Sequence, residues 1–350
     1  MLKSVQFKNF KVLRDATLPL SRFTLIVGPN GSGKSTALQA LEAMSHQRSW
    51  DLHQVASAGL PLNEIPRPRI ARNSTKVPPG GVAVILKWAS PHEGAISIGS
   101  WSQGSQSQLY HYQNKNGAPY EKSEALTNKL AKIRIYSLDA HAIALPVQLQ
   151  PEITLSGHGG SLAGVLDRLR DEAPERFEAL NDEVGRWFPE FDRILFDTPA
   201  QGQRAFLLRT RKGHYKIPAA DLSHGTLLAL VILTLGYLSD PPSIVGIEEP
   251  ERGLHPRLLR QIQDALYRLS YPENFGETRE PVQVIATTHS PYFLDLYKDH
   301  PEEVVIAQKT PEGACFERLS EQPHIIEILG DAPLGEVWYS GILGGVPAEQ

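Results

Sequence analysis

At 350 residues the chain is long enough for one large domain or two, and its 41% apolar and 21% charged content is that of an ordinary globular protein. A formal net charge of −4 excludes a protein coated in basic charge for nucleic acid, while leaving room for a local basic patch. The one cysteine, Cys315, excludes an intrachain disulfide framework and a multi-cysteine zinc site, and it suits a reducing compartment.

Strand-like alternation opens the chain at residues 4–7, where no signal-peptide core is found, and recurs at residues 16–20. The apolar run at 23–27 leads into Gly28-Pro29-Asn30-Gly31-Ser32-Gly33-Lys34-Ser35-Thr36, a complete loop of the form G-x-x-x-x-G-K-[S/T]. Ala37, Leu38, Ala40, Leu41 and Met44 then show helical spacing. This strand–loop–helix context separates a phosphate cradle from a glycine-rich turn that binds nothing. Glycines at 28, 31 and 33 let backbone N–H groups turn inward without Cβ clashes. Lys34 brings positive charge to the β- and γ-phosphates, and Ser35 offers a hydroxyl to Mg²⁺. The following helix adds its positive end. Asn30, Gly31, Gly33, Lys34, Ser35 and Thr36 are therefore the expected ATP-binding residues, with Ser35 also a metal ligand.

Residues 50–79 are rich in proline and arginine and read as loop or insertion, with Arg67, Arg69, Arg72 and Lys76 as candidate phosphate contacts. Short antiparallel strands are predicted at 82–88, 95–98 and 108–112. Helical spacing appears at 161–169 and again at 177–187. A strand pair follows at 194–196 and 205–209, with Lys212-Gly213 turning the chain towards 215–217. The predicted organisation is a split nucleotide-binding lobe at 1–49 and 218–350, an insertion with short antiparallel strands at 50–130, and a helical/β subdomain at 131–217. The most apolar stretch, residues 226–238, falls short of the roughly 17–25 residues that cross a bilayer. It reads as a buried core helix, so no membrane partner and a soluble, cytoplasmic protein are expected.

Three further segments carry chemistry. Residues 243–247 form an apolar strand that ends in Glu248 and Glu249; beside a phosphate loop, the first acid helps hold Mg²⁺ and the next polarises the attacking water. Residues 282–287 are a buried strand that ends in polar residues, which puts His289 at the sheet edge where parallel strands gather ligands. A neutral imidazole there can meet a γ-phosphate oxygen or hold the water. Ser223 precedes the apolar helix as an N-cap; with the backbone at Gly225 it also offers a γ-phosphate contact at that helix's positive end.

Together these motifs resemble the ABC type of ATPase, in particular the SMC/RecF/OLD-like branch. The residues that carry the likeness are Phe7-Lys8-Asn9-Phe10-Lys11 with the phosphate loop, the signature-like Leu222-Ser223-His224-Gly225-Thr226, and the Walker B and D-loop segment Glu248-Glu249-Pro250-Glu251-Arg252-Gly253-Leu254-His255-Pro256. Thr287-Thr288-His289-Ser290 resembles the switch-histidine segment, and residues 334–341 resemble the C-terminus of short OLD-like ATPases. The resemblance implies an α/β P-loop NTPase fold of ABC type, a mixed sheet flanked by helices with an inserted β-rich arm and a helical subdomain. It implies a head-to-tail homodimer in which Lys34 and Ser35 bind phosphate and Mg²⁺, Glu248 holds the metal, Glu249 is the catalytic base, His289 senses the γ-phosphate, and Ser223 acts in trans. Residues after 310 leave no room for the TOPRIM nuclease domain of full OLD proteins. The expected function is therefore an ATP-hydrolysing switch in DNA repair or phage defence, working with a separate effector nuclease. The alternatives are an ATPase that clamps DNA by itself and a scaffold that binds ATP without turnover.

Overall fold

The structure is a computed structural model and describes all residues except 47–49, 61–79, 103–106, 114–117, 311–312, 331 and 345–350. In chain order its first elements are β1 (Leu2–Phe10), β2 (Leu13–Pro19), β3 (Phe23–Val27), α1 (Lys34–Ser45) and α2 (Leu52–Val55). β4 (Val82–Trp88), β5 (Ala95–Trp101), β6 (Gln108–Gln113), α3 (Ser123–Ala131), β7 (Ile133–Tyr136), α4 (Ala140–Ala144) and β8 (Val147–Gln148) follow. Next come α5 (Leu162–Glu172), α6 (Pro174–Trp187), β9 (Phe191–Asp197), β10 (Gln203–Thr210), β11 (Lys216–Pro218) and α7 (His224–Leu235). The remainder holds β12 (Ile244–Glu248), α8 (Leu259–Ser270), β13 (Gln283–Thr288), α9 (Pro291–Asp295), β14 (Val304–Thr310), β15 (Gly313–Arg318), α10 (Ile325–Leu329) and α11 (Leu334–Tyr339). The chain divides into two units, Met1–Ile135 with Ser243–Gly246 and Gln283–Gln350, and Tyr136–Pro242 with Ile247–Val282.

In the first unit, β2-β1-β4-β5-β6 form an antiparallel sheet. The strands expected inside an insertion thus hydrogen-bond onward from β1, with Phe7 opposite Ala16 on one side and Val84 on the other. Leu2, Val5, Phe7 and Phe10 are buried on β1, and they join Leu38 and Leu41 of α1 in one core. A second sheet has the order β15-β14-β3-β13-β12-β7; β3 pairs in parallel with both β13 and β14. All five residues of β3 are buried, as expected for a parallel strand covered on both faces. Gln283 on β13 is fully buried, and its amide bonds Leu2 N, Leu2 O and Ser21 O, all at 2.8 Å. Truncating it would orphan those groups at a cost of about 1–3 kcal/mol each. A short helix, α2, stands in the segment read as loop because Asp51 and Gln54 form a capping box. Arg67, Arg69, Arg72 and Lys76 lie outside the described residues.

In the second unit, α5 and α6 pack against the β9–β10 hairpin, in which Phe196 faces Phe206 and Ile194 faces Leu208. The helical spacing across 161–187 resolves into two helices because Pro174 cannot continue the first and opens the second. Helix α7 buries every residue from Thr226 to Leu235, the pattern of a helix covered all round. Among the described residues no helix is long and apolar enough to cross a membrane.

Candidate nucleotide-binding site

Parallel register builds the site in the first unit. Val27, the last residue of β3, lies opposite Thr288 of β13 and Ile306 of β14. Gly28 and His289 therefore leave adjacent strands side by side. A Cβ at Gly28 would sit 2.2 Å from the carbonyl oxygen of Ala307, so β14 is the wall that demands glycine there. Gly33 has φ 91°, and a Cβ on it would meet Leu13 Cδ2 at 2.6 Å. The start of β2 thus lies against the loop.

Inside the loop, Lys34 is 5% exposed, and its ammonium donates to Gly28 O at 2.8 Å and Pro29 O at 2.9 Å. Ser32 Oγ is fully buried and has no hydrogen-bond partner among the described residues. Helix α1 starts at Gly33 with neither a side-chain cap nor an acid in its first turn. A buried cation, an orphaned hydroxyl and an uncapped positive helix end fit a polyphosphate. Asn30 and Ser35 are exposed and Thr36 is half-buried. The Ser35 hydroxyl is a hard oxygen donor of the kind Mg²⁺ takes. Among the described residues no group of three His, Cys, Asp or Glu side chains forms a metal cage, and Mg²⁺ beside phosphates uses few protein ligands.

His289 is half-buried. The residue after it, Ser290, caps α9 by accepting from Phe293 N at 3.2 Å. The next, Pro291, is the seat of α11: a Cβ at Gly335 would lie 2.3 Å from Pro291 O, and Gly335 N donates to Asp295 Oδ1 at 2.7 Å.

The second unit gathers the remaining predicted residues. Glu248 ends β12, and Glu249 turns the chain with φ 44°, a left-handed conformation that costs a side-chain-bearing residue about 1–2 kcal/mol. Backbone bonds Arg252 N–Glu249 O (2.9 Å) and Leu254 N–Glu251 O (3.1 Å) fix the turn, and Arg252 also donates to Leu138 O at 3.2 Å. Strain at the residue read as catalytic base is the kind held at functional sites. Gly225, in the first turn of α7, lies so close that its Cβ would be 2.8 Å from Gly253 O. Ser223 is exposed; its Oγ accepts from Thr226 N at 3.1 Å and bonds Thr226 Oγ1 at 2.7 Å, so in this structure it is the N-cap.

The predicted residues thus fall in two sets: the loop with His289, and Ser223 and Gly225 with the turn at Glu248 and Glu249. Sequence reading missed the close seats of Gly28, Gly225 and Gly335. It also missed Gly246 in β12, whose Cβ would meet Ile135 Cδ1 at 2.5 Å and Leu38 Cδ2 at 3.0 Å. A glycine within a strand pattern is the available signal for such an approach.

The model of the family described as "AAA domain, putative AbiEii toxin, Type IV TA system" matches residues 58–295, and that of the "AAA ATPase domain" matches residues 1–85. An OLD nuclease from Thermus scotoductus (strain ATCC 700910 / SA-01) is 26% identical over 358 residues, spanning 88% of this chain and 64% of that protein. The chain therefore covers less than two thirds of that relative's length. The SMC head bound to the C-winged helix domain of ScpA is similar at TM-score 0.59 and 14% identity, over 90% of this chain and 96% of that one. The SMC head with an extended coiled coil bound to the C-terminal domain of ScpA, from Pyrococcus furiosus, gives 0.58 and 13%, over 93% and 98%. The SMC head domain from Thermotoga maritima gives 0.50 and 17%, over 91% and 98%. These likenesses establish the fold as the α/β P-loop type of ABC ATPases, with mixed sheets flanked by helices.

Proposed function

Because the chain belongs to the AAA-domain family, as an ABC-type ATPase of the SMC/RecF/OLD branch, we propose that it is an ATP-hydrolysing switch that works as a head-to-tail homodimer. The observation that carries the reading is the phosphate loop, with Lys34 buried against its carbonyls, leaving the sheet beside His289.

Lys34 and the backbone of Gly31 and Gly33 bind the phosphates, and Ser32 Oγ gains the partner it lacks. Ser35 and Glu248 are the residues that would hold Mg²⁺, which would supply positive charge to offset that of the phosphates. Glu249 takes a proton from the attacking water, and His289 holds the water or a γ-phosphate oxygen. Ser223 and Gly225 lie at an exposed end of α7, which suits a contact with the loop of a second copy. The match to a protein named a nuclease covers 64% of that protein, and we read the shared part as the switch. The partner proposed for that switch is a separate effector nuclease, in repair or phage defence.

The test is Glu249→Gln. Phosphate release should fall by about 100-fold or more, the range of general-base catalysis, while ATP binding persists and the ATP-bound variant elutes as a dimer in light-scattering chromatography. Equal, slow turnover in both proteins would instead support the scaffold that binds ATP without hydrolysis. A monomer at saturating ATP would remove the dimer.

A further inference from the structure

We propose that the β10–β11 hairpin is a binding site for single-stranded nucleic acid, with Tyr215 as a base-stacking platform and Arg211, Lys212 and Lys216 as phosphate contacts. The site lies wholly in the second unit and does not depend on the ATPase reading.

Charge picks out this segment first. Residues 198–220 contain five lysines and arginines and no acid, within a chain of net charge −4. Strand register then concentrates three of these strands' cations. Arg209 of β10 is opposite Arg193 of β9 and Lys216 of β11, so the three stand in a row on one face. That face is the one turned away from the core, since Phe206 and Leu208 are buried and Arg193 and Lys216 are exposed. Like charges in register destabilise a sheet unless something offsets them. Two of the three are offset: Arg209 is bidentate to Asp192 at 2.9 and 3.0 Å, and Arg193 pairs with Glu178 at 2.7 Å. Lys212 and Lys216 have no ion-pair partner among the described residues, and Arg211 donates to the carbonyls of Pro189 and Phe191. Three cations at the hairpin therefore keep their charge for an outside partner.

The aromatic stands on a braced turn. Tyr215 is 69% exposed, yet its ring lies against Gly213, where a Cβ would fall 2.4 Å from Cε2 and 2.9 Å from Cδ2. Only glycine permits that approach, at φ 80°. The turn itself is braced: Thr210 N donates to Tyr215 O at 2.8 Å, Tyr215 N to Thr210 Oγ1 at 2.9 Å, and Thr210 Oγ1 to Lys212 O at 2.8 Å. A ring laid on Gly213 and open on its outer side, carried by the same hairpin as Arg211, Lys212 and Lys216, joins a stacking surface to phosphate-binding charge, the pair of features that single-strand binders combine. An acidic peptide would use the cations but not the ring face. A duplex keeps its bases stacked on each other and gains nothing from the ring.

The experiment is fluorescence anisotropy of the full chain, without nucleotide, against a labelled oligothymidine of about twelve residues, a duplex of the same length and a poly-glutamate peptide. The single strand should bind most tightly, with a slope of log K against log salt of about −2, from three phosphates at about 0.7 each. Tyr215→Ala should weaken the single strand about tenfold, within the range for loss of one stacked base, and leave duplex binding unchanged. Lys212→Glu with Lys216→Glu should weaken the single strand at least tenfold and flatten the slope. All these positions are exposed, and unchanged melting temperatures confirm that the fold persists. No salt-dependent binding, tighter binding of duplex or peptide, or affinities indifferent to these substitutions would each overturn the proposal. ATP turnover, measured separately, reports on the nucleotide site alone.

Discussion

Lys34 holds two carbonyls of its own loop, Gly28 O and Pro29 O, from a position nearly closed to solvent. It therefore shapes the cradle as well as charging it. Lys34→Ala removes two charge-assisted hydrogen bonds and the cation, each bond worth about 1.5–3 kcal/mol. Titration with a fluorescent ATP analogue should show affinity down by about 100-fold or more, with far-ultraviolet circular dichroism unchanged. An unaltered dissociation constant would mean that nucleotide binds elsewhere. The motif from Gly28 to Thr36 was legible because its spacing is local. The reason for glycine at 28 was not, because the atom it avoids, Ala307 O, belongs to a strand far along the chain. The left-handed turn at Glu249 was equally hidden, since nothing in Glu248-Glu249-Pro250 announces a positive φ at a glutamate.

Elements with a self-contained signal were read well. The hairpin of β9 and β10 alternates, and α7 carries an apolar run from Leu227 to Leu233. Elements whose identity comes from a distant partner were not. Residues 304–310 have the β-branched composition of a strand, but their place beside β3 is set by Val304 meeting Leu25 and Ile306 meeting Val27. Helix α11 has only six residues, too short for periodicity to show, and it exists by packing on α9. That packing is tightest at Gly335 on Pro291 O, where no flexible side chain is available to move aside. Gly335→Ala should destabilise the protein by about 1–3 kcal/mol, the usual cost of overpacking. Thermal melts would register it as a lower midpoint. Because Pro291 follows His289 by two residues, ATP turnover should fall with it, and a variant with wild-type melting and turnover would deny the tight seat.

For the molecule as a whole, division into units does not follow sequence order: segments far apart in the chain make up each one. Acid stability is also a property of the whole. His111 on β6 is wedged between Ser97 Oγ at 2.7 Å and Thr127 Oγ1 at 3.0 Å, with Trp88 Nε1 donating to Ser97 at 2.8 Å. Burial pushes its pKa down to about 4, from an ordinary value near 6.5. Between those values the unfolded chain binds a proton that the folded one refuses, so stability falls as pH drops through about 6.5 to 4, and the contribution is gone below. Melting midpoints from pH 7.5 to 4.5 should fall more steeply for wild type than for His111→Gln, and parallel curves would contradict this. Carboxylates held low by hydrogen bonds, such as Asp192 beside Arg209, titrate in both proteins and cancel from the comparison. The meeting of Gly225 with Gly253 has a consequence of the same reach. Two backbones touch there with no side chain between them to absorb a shift, so the start of α7 and the turn after Glu249 must be displaced together. A ligand that prefers one placement of α7 thereby acts on the carboxylates, and by thermodynamic reciprocity whatever engages those carboxylates alters the ligand's affinity to the same degree.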